Sequence, residues 1–420
     1  MPEKKQNRIV HFFRTLGPGL VTGAADDDPS GIATYSIAGA QQGTGLLWTA
    51  LLTWPLMGVI QTMCARIGMV TGMGIAAALR QKVPKPVLVV ISFALFMANT
   101  INIGADLSAM ADATEMLTGI KSYWLVAPFG IVITLATVHY RYNQIARVLK
   151  WLALVLFAYV ITGFIIKPDW RVVFHSTFVP AVPANHEAWA TLVAILGTTI
   201  SPYLFFWQSS QEVEEDKEHG KKELRQRRGA SENEIIDRKL DVATGTFVSN
   251  LVMFFIILTT AFTLHKTGMT QIETSRQAAD ALRPLAGNLA AFLFTIGIVG
   301  VGFLAIPTLA GSAAYAFAET FGWRQGLDQT FLRARGFYMI LIASVGVGVA
   351  LDLLKVSAMQ ALYWSAVVNG VLAPFLLVGI LLVASDRKLM QDQPSSMRSV
   401  VLVSLTTILM FGAAIGMFVF

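Results

Sequence analysis

Charged residues are scarce in this chain. Only 14% of its 420 residues are Asp, Glu, Lys or Arg, whereas 55% are hydrophobic. A soluble domain carries about 25% charged residues, so this composition excludes an ordinary soluble protein, and no soluble catalytic domain is visible. We therefore expect a multi-pass protein of the cell membrane, embedded in the lipid bilayer, with about eleven spans joined by short loops.

Cysteine is almost absent as well. Cys64 is the single cysteine, which excludes an intrachain disulfide and any metal centre built on several cysteines. The net charge of +6 does not require a nucleic-acid partner, because the cytoplasmic loops of membrane proteins collect Lys and Arg. We expect no nucleic acid and no cofactor.

The distribution of Lys and Arg indicates the orientation. These residues are most frequent before the first span and in the loops that follow even-numbered spans, which favours a cytoplasmic N-terminus and a C-terminus outside. The charged block at 212–239 is predicted to be a solvated cytoplasmic helix. The predicted spans lie at about 13–39, 46–69, 86–117, 123–139, 151–166, 188–211, 241–264, 287–317, 336–354, 357–384 and 398–419.

The most informative feature is a run of three acidic residues, Asp26, Asp27 and Asp28, inside the first hydrophobic span. An ionised carboxylate at mid-bilayer costs about 2.5–3.5 kcal/mol on insertion scales. Pro29 removes a helix donor, and Gly31 permits non-helical backbone. Carboxylates beside a helix break at membrane depth predict a cation site, since irregular backbone is tolerated there only where it lines a cavity or is buried in protein.

Two other interpretations of this stretch are a signal peptide and a loop at the membrane edge. A signal peptide needs an uninterrupted apolar segment. Arg14 and the G-P-G sequence at 17–19 interrupt it, and many more spans follow.

A second interrupted span lies at 197–210, where Pro202 is in mid-span. Paired interrupted spans in corresponding positions are typical of transporters with inverted repeats. Since the two breaks are five spans apart, we expect one transporter domain over 1–420. Repeat one covers about 13–166, repeat two about 188–384, and an extra span about 398–419.

This pair of interrupted spans resembles the NRAMP divalent-metal transporters, whose first and sixth helices carry D-P-G-N and M-P-H-N. G-P-G at 17–19, G-A-D-L at 104–107 and A-S-D-R-K-L-M at 384–390 also match the family, the last two in similar form. The resemblance covers nearly the whole chain. It implies an all-α membrane fold of the LeuT type, with eleven transmembrane helices, a 5+5 inverted repeat and helices 1 and 6 broken.

The chain departs from the family at the metal ligands. Asp28 matches the family's metal aspartate, but Gly31 replaces the ligand asparagine and Ser201 replaces the ligand methionine. Thioether sulfur favours transition metals, whereas hydroxyl and carboxylate oxygens suit Mg²⁺, which usually keeps several waters. These changes resemble the NRAMP-related branch that carries magnesium.

It also departs at the groups for proton transfer. Tyr203 and Gln208 stand where the family has histidines, and Ala109 replaces a glutamate, although Asp106 remains. Histidine titrates near pH 6.5 and tyrosine near pH 10. These departures therefore predict transport that is not proton-coupled.

Helix geometry limits how many of the three acidic side chains can face one ion, because successive residues differ in direction by about 100°. Asp28 ranks first and Asp27 second, while Asp26 lines the entry or pairs elsewhere. The predicted metal-site residues are Asp28, Asp27, Gly31, Ser201, Tyr203 and Asp26.

Span three presents polar residues at i, i+3 and i+7, which share one helix face. They line the ion path or make inter-helix hydrogen bonds. Tyr203 and Gln208 are either donors to ion-bound water or packed polar groups. The predicted ion-path residues are Asn99, Asn102, Asp106, Gln208 and the weaker candidate Asn369.

The sequence thus predicts a secondary transporter, not an enzyme, that takes up Mg²⁺ and also Mn²⁺ as a monomer. The nearest alternative is a proton-coupled Mn²⁺/Fe²⁺ importer. An intramembrane hydrolase would need paired Asp in a G-x-G-D setting, which is missing. A non-transporting sensor would need an output domain, for which the block at 212–239 is short.

Overall fold

The computed structural model describes residues 18–139, 154–354 and 356–420, and the regular elements within these ranges are all helical. The start of the predicted spans one and five, together with Arg14 and Gly17, lies outside the described residues. The helices are α1 (Pro18–Asp26), α2 (Pro29–Gln42), α3 (Trp48–Thr71), α4 (Ile75–Leu79), α5 (Lys85–Thr118), α6 (Ser122–His139), α7 (Phe157–Ile165), α8 (Trp170–Phe178), α9 (His186–Thr199), α10 (Pro202–Glu218), α11 (Glu232–Thr263), α12 (Ser275–Ala279), α13 (Arg283–Ala286), α14 (Ala290–Phe321), α15 (Arg335–Leu351), α16 (Ala358–Ala384) and α17 (Met397–Val419).

The helices account for the predicted spans. Within the described ranges, nine helical segments are long and apolar enough to cross a membrane, with α9 and α10 counted as one. The broken pair α1 and α2 and the short apolar segment Leu154–Ile165 supply spans one and five. The connection between spans five and six contains the helix α8.

Both predicted helix breaks are present. In span one, α1 ends at Asp26, and Pro29 opens α2 with Asp28 as its N-cap. In span six, α9 ends at Thr199, and Pro202 opens α10 with Ser201 as its N-cap. Proline is favoured at the first helical position, where its missing N–H costs nothing. Each proline therefore begins the second half of its span.

Glycines let the broken spans approach their neighbours closely. A Cβ on Gly39 of α2 would collide with the Thr260 hydroxyl and the Ile257 carbonyl of α11, and one on Gly68 of α3 would collide with the Ser209 carbonyl of α10. Small residues at such contacts are typical of membrane helix packing. The second half of span one thus packs on span seven, and the second half of span six packs on span two. These are corresponding pairs in a 5+5 inverted repeat.

The prediction of one solvated helix at 212–239 is wrong. The block comprises the end of α10, a 3₁₀ turn at Leu224–Arg227 and the start of α11. Glu212 and Glu214 are buried, at 3% and 7% exposure. Burial is possible because the chain reverses between α10 and α11, so that basic and acidic residues far apart in sequence pair with each other.

Candidate metal-ion site

Asp28 lies at the break of span one and is 2% exposed. One carboxylate oxygen, Oδ1, accepts a hydrogen bond of 2.7 Å from the Gly31 amide, which is the N-cap interaction of α2. The other, Oδ2, accepts one of 2.9 Å from Asn102 Nδ2 on α5. A negative charge is stabilised at a helix N-terminus. Each carboxylate oxygen keeps a second lone pair with which it can bind a cation.

Asn102 connects Asp28 to span ten. Its Oδ1 accepts a hydrogen bond of 2.6 Å from Ser365 Oγ on α16. The Ser365 hydroxyl lies 3.5 Å from Ser30 Oγ, just after the break. Polar groups from spans one, three and ten therefore meet at Asp28, and they are hydroxyl, amide and carboxylate groups.

Asp106 lies one turn beyond Asn102 on α5 and is fully buried. Neither of its carboxylate oxygens makes a well-formed hydrogen bond within the described part of the chain. The Ser30 amide lies nearby, and Asp28 is near enough for the two charges to interact. A buried carboxylate without a strong donor is costly unless it binds a proton or a cation. Asp106 is thus equipped to hold one of the two.

Asp26 and Asp27 point away from Asp28, towards α11. Ser249 Oγ lies 2.6 Å from Asp26 Oδ2 and 3.1 Å from Asp27 Oδ1. Asp26 Oδ1 has no hydrogen-bond partner among the described residues. No group of three or more His, Cys, Asp or Glu side chains converges on a metal position in these ranges. The separation arises at the break itself, because Asp27 and Asp28 lie between α1 and α2 and the 100° step of a regular helix does not apply to them.

The two prolines each free one backbone carbonyl. In a regular helix the carbonyl of residue i accepts from the N–H of residue i+4, and proline has no N–H. Pro29 therefore leaves the Ala25 carbonyl without its helical donor. Tyr203 Oη donates to that carbonyl at 2.8 Å, so the sixth span supplies the hydrogen bond that the first span lacks.

The same pattern occurs at the second break. Pro202 leaves the Thr198 carbonyl without its helical donor, and Ser201 Oγ lies 2.5 Å from that oxygen and 2.8 Å from the Gly197 carbonyl. The Ser201 hydroxyl is therefore directed onto its own span. It makes no hydrogen bond to Asp28 in the described structure.

The two breaks are in direct contact around Gly31. A Cβ on Gly31 would lie 3.3 Å from both the Asp26 carbonyl oxygen and Thr198 Oγ1. Tyr35 Oη and Thr199 Oγ1 form a further hydrogen bond of 3.0 Å between the broken spans. The space beside Gly31 is narrow, so an ion with its water shell needs the two breaks to separate.

The remaining predicted ion-path residues lie elsewhere. Asn99 Nδ2 donates to the Leu309 carbonyl and to Ser312 Oγ on α14, at 2.9 Å and 2.8 Å. Asn99 therefore makes inter-helix hydrogen bonds, which was the alternative to a place on the ion path. Gln208 Nε2 donates to Glu212 at 2.7 Å, two turns beyond the break. Asn369 is buried on α16, and its Oδ1 has no partner among the described residues.

Sequence reasoning missed two serines. Ser249 contacts Asp26 and Asp27, and Ser365 contacts Asn102, which donates to Asp28. Their only signal is a hydroxyl within an apolar span. That signal is shared with Thr259 and Thr260, whose hydroxyls bond only to carbonyls of their own helix.

It also missed a charged cluster that joins both broken spans. Arg238 of α11 pairs with Glu212 of α10 at 2.9 Å, with Glu215 and, at 2.7 Å, with Asp241. Asp241 Oδ2 accepts a hydrogen bond of 2.8 Å from the Gly19 amide of α1. The first half of span one and the second half of span six are therefore linked through α11.

A bundle of membrane-length helices with two proline-broken spans in contact at buried carboxylates is typical of secondary transporters with inverted repeats. A family model described as "Natural resistance-associated macrophage protein-like" (Nramp) matches residues 19–420. The chain belongs to the Nramp family.

Individual relatives agree with this. The chain is 26% identical over 401 residues to the "Divalent metal cation transporter MntH" of Caldanaerobacter subterraneus subsp. tengcongensis, covering 91% of this chain and 87% of that protein. The crystal structure of the Eremococcus coleocola manganese transporter, bound to an aromatic bis-isothiourea compound, is similar with a TM-score of 0.78. It has 18% identity, and the match covers 99% of this chain and 87% of that one.

A more distant fold relative is Mhp1, a nucleobase-cation-symport-1 family transporter in a closed conformation. Its TM-score is 0.56 at 15% identity, and the match covers 96% of this chain and 90% of that one. The predicted family and LeuT-type fold class are confirmed. Membership also confirms a multi-pass divalent-metal transporter of the NRAMP type rather than an enzyme, with the metal as substrate and no cofactor.

Proposed function

We propose that this protein mediates uptake of Mg²⁺, and also of Mn²⁺, across the cell membrane without proton coupling. The observation that carries the proposal is the chemistry at the two breaks. Asp28 is hydrogen-bonded to an amide side chain and a backbone N–H, and the N-cap of α10 is a serine instead of a thioether residue. Oxygen ligands suit Mg²⁺ and Mn²⁺, and the missing sulfur removes a preference for softer ions.

In this proposal Asp28 is the principal ligand and Asp106 faces the same ion from α5. Mg²⁺ dehydrates reluctantly and is usually bound through one or two carboxylates and several waters. Asp27 and Asp26, directed towards Ser249, line the route between the ion and α11. Because the breaks are in contact at Gly31, binding requires them to move apart, as the alternating access of such transporters involves.

The absence of coupling rests on the groups at the breaks. The Tyr203 hydroxyl donates to the Ala25 carbonyl, and Gln208 cannot titrate. The histidines of the described residues lie at helix ends, in the short helix α8 or just beyond α11. They are His139, His175, His186, His219 and His265. Among the described residues, no imidazole is therefore placed to carry a proton beside the ion.

A second candidate function is proton-coupled Mn²⁺ import. It is favoured by the buried carboxylate of Asp106, which lacks a well-formed hydrogen bond among the described residues. The names of the relatives, a divalent metal cation transporter and a manganese transporter, favour Mn²⁺ as the ion. In this alternative Asp106 takes the proton that the missing histidine would carry.

The test is flux into proteoliposomes with Mg²⁺, Mn²⁺ and Ca²⁺ in parallel, with a pH-sensitive dye inside. We expect Mg²⁺ and Mn²⁺ uptake driven by the membrane potential and no lumenal acidification beyond that of protein-free vesicles. Acidification that follows metal dose at a clamped potential would establish the coupled alternative. No uptake of any ion would overturn both.

We also propose a single transporter domain that works as a monomer, with a cytoplasmic N-terminus and an outer C-terminus. The basic loops support this orientation. A cysteine placed at exposed Glu218 or exposed Phe420, in a chain whose own Cys64 is buried, tests it. An impermeant thiol reagent added to intact cells should label only position 420, and the reverse pattern would invert the assignment.

A further inference from the structure

The carbonyls freed at the two breaks are the main-chain ligands that an ion at this site would use. Broken helices in transporters commonly coordinate their cations through such unwound carbonyls. Here the Ala25 and Thr198 carbonyls are freed by Pro29 and Pro202, four residues further on. Both already accept a hydroxyl donor from span six.

The Tyr203 contact is the more consequential of the two, because it crosses between spans. Tyr203 is 1% exposed, and its hydroxyl lies 2.8 Å from the Ala25 oxygen. A carbonyl can only accept, so the phenol must donate, and its proton lies between the two oxygens. The ring and the O–H together occupy one approach to the carbonyl and place a positive hydrogen where a cation would otherwise lie.

We infer that Tyr203 is a specificity-determining residue: its hydroxyl takes one lone pair of the Ala25 carbonyl and weakens that oxygen as a ligand, so that the ion is bound mainly through carboxylates and water. This inference rests on the proposed function. An ion that keeps its water, as Mg²⁺ does, loses nothing when the carbonyl is occupied. An ion that sheds water more readily, such as Mn²⁺ or Cd²⁺, loses an inner-sphere ligand.

The test is Tyr203→Phe, which removes the hydroxyl and keeps the ring. We expect the Mn²⁺-to-Mg²⁺ ratio of binding constants to rise about fivefold, the equivalent of one net hydrogen bond. The matched control is Tyr35→Phe. The Tyr35 hydroxyl is equally buried and also joins the broken spans, but its partner is the Thr199 side chain rather than a carbonyl freed by proline. We expect Tyr35→Phe to leave the ratio unchanged.

A second measurement reports ligation directly. Pulsed electron paramagnetic resonance of bound Mn²⁺ in D₂O counts its water ligands. We expect fewer waters in Tyr203→Phe than in the unaltered protein, because the freed carbonyl replaces one of them. We expect Tyr35→Phe to leave the number of water ligands unchanged. If Tyr203 has only a structural role, Tyr203→Phe should leave it unchanged as well.

The outcomes separate this inference from the proposed function. If the unaltered protein transports Mg²⁺ but Tyr203→Phe changes neither the ratio nor the water count, Tyr203 does not set specificity and only this inference fails. If the unaltered protein binds no Mg²⁺, the proposed function fails. Should Tyr203→Phe not fold, Tyr203→Leu also removes the hydroxyl from the Ala25 carbonyl, and an unchanged ratio in that variant overturns the inference.

Discussion

The substitution Asp28→Asn isolates the charge of the principal ligand from its structural role. Asparagine is as good an N-cap as aspartate, so its Oδ1 can still accept from the Gly31 amide. Its new Nδ2 then faces the Asn102 amide, which must turn over and donate to Ser365 instead of accepting from it. The hydroxyl of Ser365 can either donate or accept, so the hydrogen bonds from position 28 through Asn102 to Ser365 are kept.

The size of the expected effect follows from Coulomb's law. Two unit charges 4 Å apart interact by about 4 kcal/mol at an effective dielectric constant of about 20, and a divalent ion doubles this to about 8 kcal/mol. Even if other carboxylates and water recover three quarters of that energy, about 2 kcal/mol is lost, which weakens binding about 30-fold. Folding should change by only a few tenths of a kcal/mol.

The assay pairs calorimetric titration of Mg²⁺ and Mn²⁺ in detergent with flux in proteoliposomes. Thermal unfolding and gel filtration of the same samples check that Asp28→Asn is folded. We expect flux of both ions to be nearly abolished, with an unfolding temperature close to that of the unaltered protein. Asp112→Asn on α5 is the control: Asp112 accepts from the Ser275 amide at 3.3 Å and touches neither break.

Near-normal flux by a folded, correctly inserted Asp28→Asn protein would refute the assignment of Asp28 as a ligand. Equal loss in Asp112→Asn would show that any removed carboxylate impairs transport. Loss of the unfolding transition in Asp28→Asn alone would show that the charge, rather than the N-cap geometry, stabilises the break.

Three further predictions follow from the breaks and the charged cluster. Ser201→Met should raise Mn²⁺ and Cd²⁺ flux relative to Mg²⁺, because sulfur is a softer ligand and fills space needed by water; unchanged ratios would mean that position 201 does not face the ion. Dye-loaded vesicles should show no acidification during Mg²⁺ influx at a clamped potential, in contrast to the coupled alternative. Arg238→Met should destabilise the fold by about 3–5 kcal/mol, because it removes the positive charge between buried Glu212 and Asp241. Adding Glu212→Gln and Asp241→Asn should restore much of the unfolding temperature, and a milder single effect would show that water already screens the cluster.

Much of the architecture could be predicted because it depends on local sequence. Pro29 and Pro202 cannot donate a backbone hydrogen bond in any surroundings. Proline alone does not predict a break, because Pro55, Pro128, Pro307 and Pro374 lie inside continuous helices. The two breaks were predictable from their corresponding positions five spans apart, with the acidic run at the first of them. Hydrophobic length likewise predicts where helices cross the bilayer.

The burial of the charged block at 212–239 could not be predicted from local sequence. Its acidic and then basic residues predicted a solvated helix, but Glu212 and Arg238 pair across a chain reversal. Whether a charged side chain is solvated or buried depends on which residues pack against it. The i,i+4 spacing gives no information about this pair, because Arg238 follows Glu212 by 26 residues.

The sequence by itself determined the spans, the breaks, the family resemblance and the oxygen-rich chemistry of the candidate site. Only the tertiary structure decided which partner each polar side chain has. Asn102 donates to Asp28, whereas Asn99 donates to α14. Ser249 donates to Asp26, and Tyr203 donates to the Ala25 carbonyl. The physical reason is the rotation of each helix about its own axis. One residue turns a side chain by about 100°, and the packing of the whole bundle sets that rotation through contacts such as Gly23 against Gly245.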